Sequence, residues 1–224
     1  IVTLKLHFTS SVPLIGNKYI GLFLLLIVIC WLINISYQKK SQILTGIVLI
    51  MIVVTGIISN STHFMLSAMI LTAAFSVFLV HKFGWWNILI MSIFLVYSVF
   101  IIWAINNPFI THSLKAVVTL QHSYIYLLAC ASLYSMLAML PVRDKIREQP
   151  LNASIILNGL GFSLIMAIMV VLFFKENYSI PLGLIAAFSL AYSALLQSRG
   201  VWKLTAAMYA LYGFVLLSVT ITGI

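Results

Sequence analysis

Long apolar segments fill this chain and constrain its fold more than any other feature. Eight of them, each about the length of a bilayer crossing, follow one another along the 224 residues. No formally charged side chain lies well inside any of them. A helix needs about twenty residues to cross roughly 30 Å of hydrocarbon. The sequence therefore predicts an all-α polytopic transmembrane bundle with about eight spans.

Hydropathy also sets the predicted bounds of the spans and of the domains. The spans are predicted at Tyr19–Tyr37, Ile43–Ile58, His63–Val80, Trp85–Ala104, Ser123–Leu140, Asn152–Phe174, Ile180–Leu196 and Trp202–Ile221. Counts of seven and nine remain open, because the segment at 42–58 is weak and the stretch 108–120 is more typical of an interfacial helix. Residues 19–224 form the predicted transmembrane domain. Residues 1–18 are a more polar lead without an initiator methionine, and we expect it to continue from upstream sequence.

Composition excludes several classes of protein. With 63% hydrophobic and 7% charged residues, the chain cannot fold as a water-soluble globule. The net charge of +9 comes from basic residues beside apolar segments, where they meet phospholipid headgroups. We therefore expect membrane lipids, and in a second interpretation other membrane subunits, as partners, and no nucleic acid.

The basic residues predict an orientation. Eight of the 12 Lys and Arg lie in or beside loops that follow odd-numbered spans, and four lie on the other side. Cytoplasmic loops carry an excess of Lys and Arg, so the odd-to-even loops are predicted to be cytoplasmic. The predicted address is an integral, multi-pass position in a bacterial inner membrane.

Two short segments match in part. Residues 81–88 and 197–204 align without gaps, pairing Gly84 with Gly200 and Trp86 with Trp202. Because four spans separate the copies, the repeat would be a parallel 4+4 pseudo-repeat. The alternative is that any short basic hairpin favours a glycine and an interfacial aromatic residue.

Small residues recur at four-residue spacing in the last two spans. The stripes are Gly183, Ala187 and Ala191 in one span and Ala206, Ala210 and Gly213 in the next. Such stripes let helix backbones approach closely in lipid, so we predict that the two face each other or a close neighbour. A narrow substrate groove lined by small residues is the alternative.

Polar residues inside spans give the candidate pocket. Asn158 and Asn87 are the amides at issue, and Ser132, Ser135 and Ser163 are the accompanying hydroxyls. An amide at this depth needs a partner from a neighbouring helix. Asn158 is therefore predicted to form a structural hydrogen bond or, as the alternative, to line a pocket for a headgroup or solute.

The sequence offers few residues for a catalytic site or a metal site. The only acids are Asp144, Glu148 and Glu176, all in predicted loops, which leaves few candidates for general acid-base catalysis. Four histidines, at 7, 63, 112 and 122, fall on the predicted outer side without metal-ligand spacing. Cys30 and Cys130 are far from other ligands. We assign no catalytic residue, cofactor or metal, and interpret the charged segment 141–150 as a solvated connector.

One resemblance is visible at the level of pattern. The segment Lys82-Phe83-Gly84-Trp85-Trp86, the following helix with Tyr97 and Trp103, and the closing small-residue hairpin resemble the C-terminal part of a large family of bacterial predicted multi-helix membrane proteins. That family has no assigned activity. The resemblance implies a longer parent protein and an inner-membrane address, and it carries over no functional residue.

Three functions remain open from the sequence. The first is a non-enzymatic scaffold or a carrier for a lipid-like or apolar solute, because ion coupling would ordinarily leave an acid or a lysine inside the membrane. The second is the membrane part of an envelope enzyme that handles lipids or glycans, with its acids supplied upstream. The third is an accessory subunit of a larger membrane complex.

Overall fold

Helices account for nearly all of the chain that the structure describes. The computed structural model describes residues 18–59, 62–104, 123–140, 148–173, 178–200 and 202–222. The helices are α1 Lys18–Lys39, α2 Gln42–Ile58, α3 Thr62–Phe83, α4 Trp86–Ala104, α5 Ser123–Met136, α6 Glu148–Phe173, α7 Ser179–Arg199 and α8 Lys203–Thr222, with a 3-10 turn at Leu137–Met139 after α5. The predicted all-helical bundle is confirmed.

Length distinguishes two groups of helices. Five candidate spans are long and apolar enough to cross a membrane: Thr62–Phe83, Trp86–Trp103, Glu148–Val170, Ser179–Arg199 and Lys203–Ile221. Three further apolar segments of 10–17 residues lie at Phe23–Lys39, Gln42–Ile57 and Tyr124–Met139. The five long apolar helices identify the chain as an integral membrane protein. The count of eight crossings remains a prediction.

One predicted boundary needs correction. Helix α6 begins at Glu148, so the last three residues of the predicted connector, 148–150, belong to the helix. Pro150 is tolerated there because the first turn of a helix leaves its N–H groups without intrahelical partners. The lead at 1–17, the stretch 108–120 and residues 141–147 lie outside the described residues.

Successive helices run in opposite directions, which brings the basic turns to one end of the bundle. Lys82 at the end of α3 donates a hydrogen bond to the Tyr37 hydroxyl near the end of α1. Arg199 at the end of α7 donates to the Met139 carbonyl after α5, at 3.1 Å. We call the end where α1, α3, α5 and α7 finish the basic end.

The buried core lies among the four central helices. Helix α4 packs against α3 and α6, and α5 packs against α3 and α6. Their largest fully buried side chains are Met65, Leu66, Met69, Leu79, Leu89, Ile93, Phe100, Leu127, Leu137 and Leu151. Helices α1 and α2 join one side of this core, whereas α7 and α8 pack chiefly on each other. The last hairpin is therefore the most loosely attached part of the described bundle.

The two aligned turns share a backbone feature but differ in register. Gly84 and Gly200 both have positive φ, at 72° and 69°, a conformation that favours glycine at helix ends. The Trp85 carbonyl accepts from the Leu89 N–H, and the Trp202 carbonyl accepts from the Ala206 N–H. By these hydrogen bonds Trp202 corresponds to Trp85 and not to Trp86. Trp85 and Trp202 are both 8% exposed, so protein rather than the headgroup layer covers these two rings. The wider 4+4 repeat remains a prediction.

Helix α7 allows a direct test of the predicted orientation. Ser179 at its start and Ser198 near its end are exposed at opposite ends of the bundle. With Cys30 and Cys130 replaced by alanine, we expect S179C to react with an impermeant maleimide in intact cells and S198C to react only after lysis. Equal labelling of both positions in intact cells would disprove a cytoplasmic basic end.

Candidate binding cleft

A cleft separates α6 from α7, which are not packed closely on each other. Its volume is about 650 Å³, within the range usual for small-molecule pockets. Helices α5 and α6 form one wall, and α7 and α8 form the other. The lining residues are Leu128, Ala131, Ser132, Ser135, Ile155, Ile156, Asn158, Gly159, Leu160, Phe162, Ser163, Leu184, Ile185, Phe188, Ser189, Met208, Tyr209, Leu211, Tyr212 and Val215.

The mouth of this cleft is apolar and faces outward. Leu160 of α6 is 64% exposed, Leu184 of α7 is 68% exposed and Leu211 of α8 is 70% exposed. In a membrane-spanning bundle, side chains of this kind face lipid tails, which are as apolar as leucine. The cleft therefore opens sideways toward the hydrocarbon.

Asn158 stands at the inner wall of the cleft and joins three helices. The Tyr97 hydroxyl of α4 donates to its Oδ1 at 2.5 Å. Its Nδ2 donates to the Ala131 carbonyl at 3.2 Å and to the Ser135 hydroxyl at 3.3 Å, both on α5. Asn158 is buried and lies about 15 Å along α6 from its first residue, at 1.5 Å per residue. Both predicted roles of Asn158 thus coincide: it is a structural hydrogen-bond centre, and it lines a pocket.

Asn87 is not part of this site. It is exposed in the first turn of α4, at the basic end. Asn158 instead finds its α4 partner in Tyr97, eleven residues after the start of that helix. The pairing of the two asparagines in one polar pocket is therefore wrong, because a position in the first turn leaves Asn87 at the end of the bundle.

The small-residue stripes lie in the contact between α7 and α8 only in part, and none of their residues is among those that line the cleft. Gly213 and Ala206 of α8 are buried against α7, and a methyl group on Gly213 would lie 2.8 Å from Leu190 Cγ. Ala210 is half-buried. On α7, a methyl group on Gly183 would lie 3.5 Å from Thr220 of α8, an ordinary contact.

Ala187 and Ala191 are exposed and lie outside this α7–α8 contact. Ala186 and Ser193 are buried in it instead, and the Ser193 hydroxyl donates to the Ala206 carbonyl at 2.6 Å. Of the two predicted arrangements, the α8 stripe at Gly213 meets a close neighbour, Leu190 of α7, rather than the small residues of the α7 stripe.

Side-chain hydrogen bonds attach the α7–α8 hairpin across the cleft. The Tyr192 hydroxyl donates to the Ser135 carbonyl at 2.6 Å, and the Tyr212 and Ser163 hydroxyls are 2.8 Å apart. Nearer the basic end, Thr205 donates to Asn152 at 2.7 Å. The hairpin also contributes Leu196, Trp202 and Ala206 to the buried core. Neutral hydrogen bonds and this local apolar packing therefore together attach the hairpin.

Tyr209 differs from Tyr212, the other tyrosine among the described lining residues. Its hydroxyl oxygen is buried and has no hydrogen-bond partner among the described residues. The Ser135 hydroxyl lies nearby, but the two groups do not meet hydrogen-bond geometry. The ring is held edge-on by Tyr192, with centroids 4.8 Å apart. The Tyr209 hydroxyl is therefore a buried donor at the side of the cleft, without a partner of hydrogen-bond geometry among the described residues.

The chemistry of the lining is neutral. Its polar groups are the hydroxyls of four serines and two tyrosines and one amide, and none of the described lining residues carries a charge. Across the described ranges, no three His, Cys, Asp or Glu side chains are grouped to hold a metal. His63 bonds the Tyr126 hydroxyl at 2.8 Å near the end opposite the basic turns. His7, His112, His122, Asp144 and Glu176 lie outside the described residues.

The sequence reasoning missed the tyrosines. Tyr209 and Tyr212 lie well inside α8 and line the cleft. Tyr97 and Tyr192, also inside helices, bond the Asn158 amide and the Ser135 carbonyl. Their position was a usable signal, because a phenol well inside a span needs a polar partner there.

Comparison with protein-family models, curated proteins and solved structures finds no significant match.

Removing the Asn158 amide should weaken the bundle. In Asn158→Ala the buried Tyr97 hydroxyl loses its acceptor, and we expect a loss of about 1 kcal/mol in the free energy of unfolding in detergent. Asn87→Ala, at an exposed position, should change it by less than about 0.5 kcal/mol. Equal effects of the two substitutions would show that the amide does not join the helices.

Two glycines of α6 should respond oppositely to alanine. A methyl group at Gly161 would lie 2.5 Å from the Tyr97 ring, whereas one at Gly159 meets nothing within 4 Å. Gly161→Ala should therefore cost about 1–3 kcal/mol through overpacking. Gly159→Ala should gain up to about 1 kcal/mol through helix propensity. Thermal unfolding of both variants measures the difference, and a stabilising Gly161→Ala would contradict the packing.

Proposed function

We propose that the chain is a carrier that binds an amphipathic, lipid-like molecule in the cleft between α6 and α7. The observation that carries the proposal is the combination of an apolar mouth open to the hydrocarbon with a polar inner wall. A lipid can enter such a cleft sideways without leaving the membrane. Its tail then replaces lipid contacts at Leu160 and Leu184, while its polar portion reaches the hydroxyls behind them.

The attachment of the α7–α8 hairpin supports movement of a bound molecule. The hairpin has extensive internal packing but few contacts with α6. Neutral hydrogen bonds across the cleft, such as Tyr212 with Ser163, can be exchanged for hydrogen bonds to a ligand at modest cost. The hairpin can therefore shift as a unit while its own seam stays intact, which a carrier requires.

The proposal includes the cellular address. The basic end would be cytoplasmic in a bacterial inner membrane, on the basis of the charge distribution and of the resemblance to bacterial multi-helix membrane proteins. A neutral cleft also agrees with a carrier that moves lipid without ion coupling, since coupling sites ordinarily use ionisable side chains.

Filling the cleft tests the function. Gly159 lines the cleft with open space beside it, so Gly159→Leu should occupy ligand volume without disturbing a contact. The exposed Ala187 on the outer face of α7 provides the matched control, Ala187→Leu. We expect at least one of three diazirine-tagged lipids, phosphatidylcholine, phosphatidate or diacylglycerol, to crosslink about tenfold less to Gly159→Leu.

The control variant should crosslink as the unsubstituted protein does, and its thermal stability should also be unchanged because a leucine on this face meets only lipid tails. If none of the three lipids depends on Gly159, the cleft does not bind lipid and the carrier proposal fails. If Ala187→Leu loses crosslinking equally, the effect is not specific to the cleft.

A further inference from the structure

We infer that the cleft selects an uncharged, ester-bearing lipid of the diacylglycerol type, with Tyr209 as the residue that donates a hydrogen bond to it. This inference rests on the proposed function and specifies its ligand. It depends on three observations. The described lining residues carry no charge, the backbone carbonyls around the cleft already accept hydrogen bonds from side chains, and the Tyr209 hydroxyl has no described partner.

The charge of the lining excludes an ionic group from the cleft. Among the described lining residues there is no Lys, Arg or His to compensate a phosphate, and no Asp or Glu to compensate an amine. Burying an unpaired charge is far more costly than burying a neutral polar group. Arg199, the nearby cation at the basic end, is exposed and donates to the Met139 carbonyl. The part of the ligand inside the cleft is therefore uncharged.

Side chains already bond the backbone carbonyls around the cleft. Ser163 donates to the Gly159 carbonyl at 2.7 Å, and Ser189 donates to the Ile185 carbonyl at 2.8 Å. Asn158 and Tyr192 donate in the same way to the carbonyls of α5. These carbonyls, which a ligand donor would otherwise use, thus have side-chain partners as well as their helical ones. The site is better suited to a ligand that accepts hydrogen bonds.

The Tyr209 hydroxyl supplies the matching donor. It is buried, it lines the cleft and it has no partner among the described residues. An unsatisfied buried hydroxyl costs free energy that a ligand acceptor would recover. An ester carbonyl accepts but cannot donate, and a diacyl lipid carries two of them next to its chains. The free hydroxyl of a diacylglycerol is a donor, and a serine hydroxyl oxygen of the lining can accept from it. Ser132, which is exposed toward the cleft, can donate to the second.

The experiment compares lipids that differ in one group. Purified protein is crosslinked with diazirine-tagged diacylglycerol in mixed micelles, against unlabelled dioleoylglycerol or dioleoylphosphatidate, which adds only the phosphate. We expect dioleoylglycerol to compete at least tenfold better. In Tyr209→Phe the ring and its contact with Tyr192 remain, and dioleoylglycerol should bind about three- to tenfold more weakly, as the loss of one hydrogen bond predicts.

Tyr126→Phe, which removes a hydroxyl bonded to His63 outside the cleft, is the matched control and should bind as the unsubstituted protein does. Thermal unfolding of each variant verifies that the fold is intact. If phosphatidate competes as well as dioleoylglycerol while crosslinking still depends on Gly159, the neutral-ligand inference is overturned and the carrier proposal stands. If Tyr209→Phe binds dioleoylglycerol normally, Tyr209 is not the donor. If no tagged lipid depends on Gly159, the proposed function itself fails.

Discussion

The buried Asn158 amide is the interaction on which the arrangement of α4, α5 and α6 depends. Apolar burial does not drive helices together in lipid, because tails and leucine side chains are equally apolar. An amide within a span has no water to bond, so its partners must come from neighbouring helices. Asn158 accepts from Tyr97 and donates to α5, which fixes the rotation of three helices at once. The missing Cβ of Gly161 then admits the Tyr97 ring.

The same rule explains why the cleft has a polar wall. Ser132 and Ser135 of α5 and Ser163 of α6 lie on the side of these helices that faces α7 and α8. The Tyr134 hydroxyl of α5 instead bonds Ser92 of α4 in the core. The hairpin bonds the cleft side of α5 and α6 through Tyr192 and Tyr212, and it leaves the Tyr209 hydroxyl without a described partner. Because the hairpin packs mainly on itself, a gap persists beside α6. The structural role and the proposed binding role therefore fall on the same residues.

The sequence predicted the helices well and their contacts poorly. The thickness of the bilayer sets the length of an apolar segment that can cross it. The eight described helices therefore lie near the positions that hydropathy predicted. The stripe at Ala187 and Ala191 shows the limit, since spacing identifies a face of a helix but not the neighbour it meets. Gly213 accommodates Leu190, and that complementarity depends on the rotation of both helices. Asn158 could be identified from the sequence because an amide inside a span needs a partner. Its partner Tyr97 lies 61 positions away and could be identified only from the structure.

The neutral interior narrows the functions that fit the chain. A carrier driven by ions needs a group whose charge changes inside the membrane, and such a group perturbs packing when it is unpaired. The described spans instead use hydroxyls and amides, each of which contributes about a kcal/mol or less and can be replaced by a ligand of similar polarity. A site built from interactions of this size would hold an amphipathic molecule weakly and reversibly. Such binding suits the proposed carrier, which must release its lipid into the membrane from which the lipid was taken.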